Sequence, residues 1–301
     1  MSADPQTVPA PPAPTSRPPV GPLREVAGPT ALGGGFRRFF DLLWLISVTE
    51  FRRTYFGTVL GYLWSLLRPL ALFGILLFVF TNVFKAGSQQ VVHYPVMLLM
   101  GVVLFTFFQE ATTAGVQSVV AQEGVVRKTQ FPRAVIPLTA VLVAFFNLGL
   151  NLVIVFVFTL AFGVSPHWTW LLFPFAVAAL FVLTAAIAMG LSVLFVRFRD
   201  VAIIWIVGAQ VLFYATPILY PVTTFTAEGH HTKEHLLMIN PLAVIFEQVR
   251  VWVLQEPEAP TAAEAAGGVL HLIPAALIFV GVCAFGIWIF NREAPRVAEN
   301  L

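Results

Sequence analysis

Residues 136–162 read IPLTAVLVAFFNLGLNLVIVFVFTLAF, a run without a single charged side chain. About 20 helical residues cross a hydrocarbon core of roughly 30 Å, so this run is long enough to span a membrane. Stretches of similar length and character lie on both sides of it. The predicted spans are 59–84, 95–119, 136–162, 170–196, 201–220 and 270–290. Pro69 interrupts the first span, and a proline is tolerated there where neighbouring groups satisfy the freed carbonyl.

The composition argues against a soluble fold. Hydrophobic residues make up 58% of the chain and charged residues 11%, whereas soluble chains are roughly half apolar and about a quarter charged. With 29 Phe and 7 Trp, the apolar side chains are too bulky to be hidden in one aqueous core. The sequence therefore predicts an all-α membrane protein. Cys283 is the single cysteine, which excludes an intrachain disulfide.

The distribution of basic residues predicts the orientation. If the N-terminus is cytoplasmic, all of the 17 Lys and Arg except Lys85, Lys233 and Arg250 fall on the cytoplasmic side. Cytoplasmic segments of membrane proteins carry an excess of these residues. Six spans with both termini in the cytoplasm satisfy this rule.

Two further segments and a tail complete the predicted organisation. Residues 1–35 are rich in Pro, Ala and Gly, which predicts a disordered cytoplasmic tail. Residues 36–58 place basic side chains on one helical arc and aromatic ones largely on the other, which predicts an amphipathic helix in the headgroup plane. Residues 242–254 are apolar but too short to span, which predicts a re-entrant or interfacial helix on the outer face, between spans five and six.

The sequence has few of the residues that form catalytic, metal-binding or nucleotide-binding sites. Asp4, Asp41 and Asp200 are the only aspartates, so no Asp-x-Asp pair can hold a metal-bound nucleotide sugar. No Gly-Lys-Ser/Thr phosphate loop occurs, so the chain cannot hold ATP in that manner. His231 and His235 have zinc-ligand spacing, but a solvated polar loop explains them better. We predict no catalytic residue, no metal site and no cofactor bound by this chain itself.

Two charges fall within predicted spans, where isolated charges are costly. Arg68 lies about nine residues into the first span. Either it extends to the cytoplasmic headgroups, or it contacts an anionic phosphate of a substrate. Glu110 lies roughly two-thirds of the way through the second span. It either pairs with a basic residue near the cytoplasmic face or lines a wet cavity.

Four stretches in order resemble the permease subunits of type-2 ABC exporters, in the branch that exports O-antigen, teichoic acid and related glycans. They are RTYFGTVLGYLWSLLRP at 53–69, VVRKTQFPRAVIPL at 125–138, VRFRDVAIIWIVGAQVLFYATPILYP at 196–221, and NPL at 240–242 followed by WIFNREAPR at 288–296. The resemblance covers the chain from about residue 36 to its end.

The resemblance implies partners. Such permeases work in pairs, with two copies of a separate P-loop ATPase that binds ATP and Mg, and with no nucleic acid. Residues 123–133 then form the main coupling helix, and the turn after span four forms a second contact. The implied ATPase contacts are Glu123, Arg127, Lys128, Phe131, Pro132 and Arg133, then Arg197, Arg199 and Asp200. Ordinary positive-inside charge is the alternative for the first group, and a local ion pair for the second.

We expect the substrate to contact aromatic and cationic side chains along a conduit built mainly from spans one and five. Aromatic rings pack against the C–H faces of sugars while remaining loose enough for release. The candidates are Arg52, Arg53, Tyr62, Trp64, Arg68, Phe213, Tyr214 and Tyr220. The alternative for the aromatic members is the belt of Trp and Tyr that collects at any membrane interface.

The predicted function is the membrane-spanning permease of an exporter that moves lipid-linked polysaccharide across the bacterial cytoplasmic membrane. An exporter of drugs or small lipids of the same type is the first alternative. A secondary transporter would need coupling carboxylates or paired discontinuous helices, and the sequence shows neither. A membrane glycosyltransferase would need a carboxylate cluster, which the scarcity of Asp disfavours.

Overall fold

The computed structural model describes residues 35–55, 61, 63–83, 93–122, 124, 132–222, 231–256 and 259–294, and every regular element within them is helical. The predicted tail, residues 1–35, lies outside this part except for Gly35. In chain order the helices are α1 (Phe36–Tyr55), α2 (Leu63–Phe78, continued by a π-helical turn, Val79–Val83), α3 (Tyr94–Ala121), α4 (Val135–Ala161), α5 (Phe173–Arg197), α6 (Val201–Tyr214), α7 (His231–Leu237), α8 (Pro241–Leu254), α9 (Ala262–Ala265) and α10 (Ile273–Glu293). Short 3₁₀ turns, Trp168–Leu172 and Val269–Leu272, lead into α5 and α10.

Five helical segments are long and apolar enough to cross a membrane: Leu63–Val83, Tyr94–Ala121, Val135–Ala161, Trp168–Arg197 and Val269–Glu293. Each falls on a predicted span, and the all-helical class is confirmed. The predicted span 201–220 is wrong in length, because α6 has 14 residues and ends at Tyr214. A helix of that length is only about 21 Å long.

Two prolines explain the early end of α6. Pro217 cannot donate to the carbonyl of Phe213, and its ring disfavours a helical conformation at Thr216. The chain instead turns, with the backbone N–H of Ile218 donating to the Thr216 carbonyl at 2.7 Å. Pro221 closes the same segment. A hydropathy argument misses this break because residues 215–220 carry no charged side chain and extend the apolar run.

Helix α3 forms the centre of the bundle. Most of its residues are buried, whereas those of α2 and α10 are mostly exposed. Phe105, Phe107 and Phe108 are almost fully buried in a core to which α4, α5 and α8 also contribute. The outward faces of α2, α6 and α10 carry exposed aliphatic and aromatic side chains such as Ile75, Ile204 and Leu277. Such surfaces suit a lipid environment or a further protein chain.

Small residues allow α3, α5 and α10 to approach closely. A Cβ placed on Gly286 of α10 would overlap the carbonyl of Ala186 in α5. A Cβ on Gly190 would lie 3.2 Å from the Cα of Gly286, so the contact is reciprocal. Between membrane helices, small residues of this kind let the two backbones meet and gain van der Waals contact.

Helix α1 covers part of 36–58 and lies across α4. Trp44 and Phe51 both pack edge-on against Phe146, with ring centroids 5.4 and 5.8 Å apart. Arg52 and Arg53 are exposed at its C-terminal end. Its residues 56–58 lie outside the described part of the chain. Whether α1 lies in a headgroup plane stays a prediction.

Helix α8 corresponds to the predicted segment 242–254 and is buried inside the bundle. The Asn240 side chain accepts from the Leu242 N–H at 3.0 Å and caps its start, with Pro241 in the first turn. At its end, Trp170 Nε1 donates to the Val253 carbonyl at 3.1 Å, and Thr169 Oγ1 donates to the Trp252 carbonyl at 2.7 Å. Whether α8 is re-entrant or interfacial on the outer face stays a prediction.

Candidate functional site

A cavity of about 670 Å³ opens between α1, α2, α3 and α6. Tyr55 of α1 and Ile206 of α6 line it. Most of its polar lining comes from one face of α3, and its lining from α2 is Arg68, Pro69 and Leu72. A second depression of about 570 Å³ shares Tyr55, Arg68 and Glu110 with it and extends to Trp64. We call the two together the cleft.

An ion pair joins two helices across the cleft. Arg68 Nη1 lies 3.5 Å from Glu110 Oε1. The Arg68 side chain remains 78% exposed, against 31% for Glu110. A guanidinium has five N–H donors, and among the residues that the structure describes Glu110 is the one carboxylate that pairs with Arg68. Most of these donors therefore remain available to a ligand in the cleft. Glu110 thus pairs with a basic residue and also lines the cleft. That this cleft is wet, and that it lies near the cytoplasmic face, stay predictions.

A third helix supports the carboxylate. Asn147 Nδ2 of α4 donates to Glu110 Oε2 at 3.3 Å. Asn151 Nδ2 in turn donates to Asn147 Oδ1 at 3.3 Å, and both asparagines are buried. A partly buried carboxylate is stabilised by such partners, because they offset part of the desolvation cost of its charge. The network fixes Glu110 at the point where α2, α3 and α4 meet.

Tyr55 approaches the same carboxylate from α1. Burial raises the pKa of its hydroxyl, and the negative charge of Glu110 raises it further. The hydroxyl is therefore protonated at neutral pH. Tyr55 is the last residue of α1, and the exposed Arg52 and Arg53 lie in the same last turn. Two cations are therefore near in sequence to a residue that lines the cleft.

The polar side chains of α3 in the cleft repeat at helical spacing. Thr106, Gln109, Glu110, Thr113 and Gln117 all line it. Residues three and four apart share one face of a helix, so the row runs along the helix axis. We call Gln109, Thr113 and Gln117 the α3 polar row.

The structure separates the predicted substrate residues into two groups. Trp64 and Arg68 lie at the cleft, and Tyr62 is outside the described residues. Phe213, Tyr214 and Tyr220 lie together at the other end of α6. The Phe213 ring packs on Phe105 in the core at 5.1 Å, and the Tyr220 hydroxyl donates to the Tyr214 carbonyl at 3.0 Å. None of these three lines the cleft.

The cleft also differs from the predicted conduit in its helices. Spans one and five were expected to build it, but span two, α3, supplies the largest share of its polar lining. Span five contributes Ile206. The spacing of polar residues in 106–117 was the signal in the sequence that could have shown this.

Few of the predicted ATPase contacts can be placed. Glu123, Arg127, Lys128 and Phe131 lie outside the described residues, whereas Pro132 is buried. Arg133 is half-buried, and its guanidinium donates to the Ala294 carbonyl just beyond the end of α10. The turn before α4 is therefore joined to the end of α10.

The turn after α5 is exposed. The guanidinium of Arg197 lies over the Phe198 ring at 5.3 Å, and that of Arg199 over the Phe195 ring at 5.1 Å. Within the part of the chain that the structure describes, Asp200 forms an ion pair with neither arginine. The local ion pair proposed as the alternative for this turn is not observed.

A buried charge network at α8 was missed from the sequence. Arg250 Nη1 lies 3.2 Å from Glu247 Oε1, and Arg250 Nη2 lies 3.7 Å from Glu256 Oε2. Glu256 Oε1 accepts from the backbone N–H of His93 at 3.1 Å. Burial raises the pKa of the Glu247 carboxyl to about 7, although Arg250 opposes the shift. The network fastens α8 to the start of α3.

Five helices that are long and apolar enough to cross a membrane, with a polar cleft between them, indicate a multi-pass membrane protein. Residues 41–254 match the family of ABC-2 type transporters, and the chain belongs to this family. It is 31% identical over 265 residues to a protein of Klebsiella pneumoniae named O-antigen export system permease protein RfbA, covering 87% of this chain and 95% of that one. A protein of the same name from Myxococcus xanthus is 28% identical over 233 residues, covering 76% and 88%. The predicted family is confirmed.

Proposed function

We propose that this chain is the permease subunit of an exporter that carries a lipid-linked polysaccharide, such as an O-antigen or a teichoic acid, across the bacterial cytoplasmic membrane. The observation that carries the proposal is the cleft, where an exposed guanidinium stands beside a neutral polar row inside an apolar bundle. The names of the relatives from Klebsiella pneumoniae and Myxococcus xanthus support the same function.

The cleft offers chemistry that suits each part of such a cargo. Arg68 has free donors for an anionic headgroup, and guanidinium groups bind phosphate through paired hydrogen bonds. Arg52 and Arg53 are exposed in the last turn of α1, whose Tyr55 lines the cleft, and we expect them to attract the headgroup. Trp64 presents an exposed ring on which a sugar can pack. Phe213, Tyr214 and Tyr220 then act later on the path, towards the outer exit.

The energy comes from a separate ATPase, which membership of the family implies. Two copies of this chain work with two copies of that ATPase, which binds ATP and Mg. The ATPase contacts the chain at residues 123–133 and at the exposed turn of Arg197, Arg199 and Asp200. Because Arg133 is bonded to the Ala294 carbonyl, a push on the first contact displaces α4 and α10 together.

Six crossings fit the structure if α6 is completed by the segment after it. Non-helical backbone is tolerated at membrane depth only where protein buries it. Residues 216–219 are all buried, and the Tyr94 hydroxyl donates to the Leu219 carbonyl at 2.9 Å. The fifth crossing is then a short helix with a protein-covered end, and both termini lie in the cytoplasm.

Deletion of the gene in its native host tests the function. The polysaccharide at the cell surface should be lost and lipid-linked polymer should accumulate inside. Both should be restored by the wild-type gene, but not when the P-loop lysine of the cognate ATPase is replaced. Unchanged surface polysaccharide in the deletion strain, with altered export of a drug or a small lipid, would favour the alternative exporter class.

A further inference from the structure

The α3 polar row carries hydrogen-bonding groups that the bundle leaves unused. The amides of Gln109 and Gln117 and the hydroxyl of Thr113 make no hydrogen bond to any residue that the structure describes. The neighbouring Thr112 faces the protein and is satisfied: its hydroxyl donates to the Phe108 carbonyl at 2.7 Å and accepts from Trp205 Nε1 at 3.0 Å. Free polar groups on α3 are thus concentrated on the side that faces the cleft.

This arrangement is costly unless something polar fills the cleft. An amide or a hydroxyl taken out of water without a partner loses free energy. Most of the surface around the row is apolar, with Leu72 and Ile206 exposed at the rims. A row of three such groups therefore requires water, a polar cargo or a second protein chain against it.

The chemistry of the row matches a polyhydroxylated chain. Glutamine amides and threonine hydroxyls both donate and accept hydrogen bonds, as sugar hydroxyls do. The residues from Gln109 to Gln117 extend about 12 Å along the helix, so consecutive sugars can contact them in turn. The side chains are neutral, and neutral hydrogen bonds are weaker than charge-assisted ones. Each contact is therefore weak enough for the chain to move on.

We propose that Gln109, Thr113 and Gln117 form a binding track for the neutral hydroxyl groups of the polysaccharide, separate from the Arg68 guanidinium that takes its anionic end. This inference rests on the proposed function, because it assumes a glycan as cargo. Glu110 lies in the same row but is engaged by Arg68 and Asn147. It positions the cation and does not belong to the track.

Cysteine reactivity tests the track in the intact complex. In a Cys283→Ala background, single cysteines replace Gln109, Thr113 or Gln117. Thr112→Cys is the matched control, because it has the same residue type one position away and faces the protein. Inverted vesicles containing the permease with its ATPase are treated with a water-soluble maleimide. The vesicles come from cells that make the polysaccharide and from isogenic cells that lack the initiating sugar transferase.

We expect the three cleft cysteines to react about ten-fold faster than the control, because they face water rather than protein. Polysaccharide should slow their reaction several-fold relative to vesicles without it. Reaction as slow as that of Thr112→Cys would overturn the proposal. Equal rates in the two kinds of vesicle would do the same, as would a ready disulfide between two copies, because that places the row at a protein interface.

Export by variants separates this inference from the function on which it rests. The variant Gln109→Leu/Thr113→Val/Gln117→Leu should lower polysaccharide export at least about ten-fold, since three hydrogen bonds to the cargo are lost. Thr184→Val removes a buried hydroxyl of α5 that lies away from the cleft, and it should export normally. If the deletion strain keeps its surface polysaccharide, the proposed function fails. Alternatively, the wild type and the triple variant export polysaccharide equally well and both purify with the ATPase. In that case the binding track is refuted and the proposed function stands.

Discussion

At the scale of single residues, charged groups inside this bundle are held by oppositely charged or amide side chains. Glu110 is held by Arg68 from α2 and Asn147 from α4, and Arg250 is held between Glu247 and Glu256. The two sites differ in access. Arg250 is almost fully buried, whereas Arg68 opens into the cleft. We therefore expect Arg250 to matter for stability and Arg68 for transport.

Replacement of Arg68 tests the expectation that this residue matters for transport. Arg68→Gln should lower polysaccharide export about ten-fold to a hundred-fold, because a charge-assisted contact to the headgroup is lost. Arg68→Lys should retain part of the activity, since an ammonium keeps the charge but not the paired geometry. The measurement is surface polysaccharide in complemented deletion cells. Arg38→Gln, at an exposed position of α1, is the control. Full activity of Arg68→Gln would contradict a role in cargo binding.

Replacement of Arg250 tests the expectation that this residue matters for stability. Arg250→Met leaves Glu247 and Glu256 buried without their cation, which should cost about 3–5 kcal/mol of stability. The matched control is Arg292→Met, because Arg292 is exposed and pairs with Glu293 at 3.8 Å. Its removal should cost less than about 1 kcal/mol. Thermal unfolding in detergent, followed by tryptophan fluorescence, measures both. Equal midpoints for the two variants would show that the α8 network does not stabilise the fold.

At the scale of helices, close backbone contact and proline decide the geometry. Pro69 leaves α2 continuous but removes one N–H, next to the arginine that faces the cleft. Pro217 ends α6 and returns the chain towards α3. The predicted spans were right where a helix is both long and uninterrupted. They were wrong at 215–220, because hydropathy measures apolarity and carries no term for backbone conformation.

The glycines of α10 give a paired prediction at this scale. Gly286→Ala should destabilise the protein by about 1–3 kcal/mol, because its new methyl group overlaps the Ala186 carbonyl and the helices must separate. Gly281→Ala lies on the same helix with nothing within 4 Å of its new Cβ. It should be neutral or stabilising by up to about 1 kcal/mol, since alanine is the better helix former. The midpoint of thermal unfolding measures both, and a loss at position 281 equal to that at 286 would refute the packing argument.

At the scale of the whole molecule, the exposed apolar faces require a covering of lipid or of a further protein chain. The described parts of α2, α6 and α10 expose apolar side chains on their outward faces, and the cleft opens at one side of the bundle. Lipid covers part of this surface, and the proposed second copy covers the part beside the cleft.

Residues 123–133, the proposed first contact with the ATPase, give the prediction at this scale. Replacement of Phe131, Pro132 and Arg133 by alanine should abolish co-purification of the ATPase, because an apolar anchor and a cationic contact are removed together. Arg133→Ala alone should retain the ATPase but weaken the attachment of α10, since the bond to the Ala294 carbonyl is lost. Arg38→Ala is the control. Co-purification of the triple variant at the wild-type level would defeat the assignment of this loop.

The class of fold, five candidate spans, the position of the buried helix α8 and the family could all be predicted from the sequence. These follow from the length of apolar runs and from local motifs, which depend on neighbours along the chain. The folded molecule was needed to show that Arg68 faces Glu110, that Asn147 supports it and that α3 lines the cleft. Each of these contacts depends on how helices rotate and pack against one another, which the hydrophobicity of a single helix does not specify.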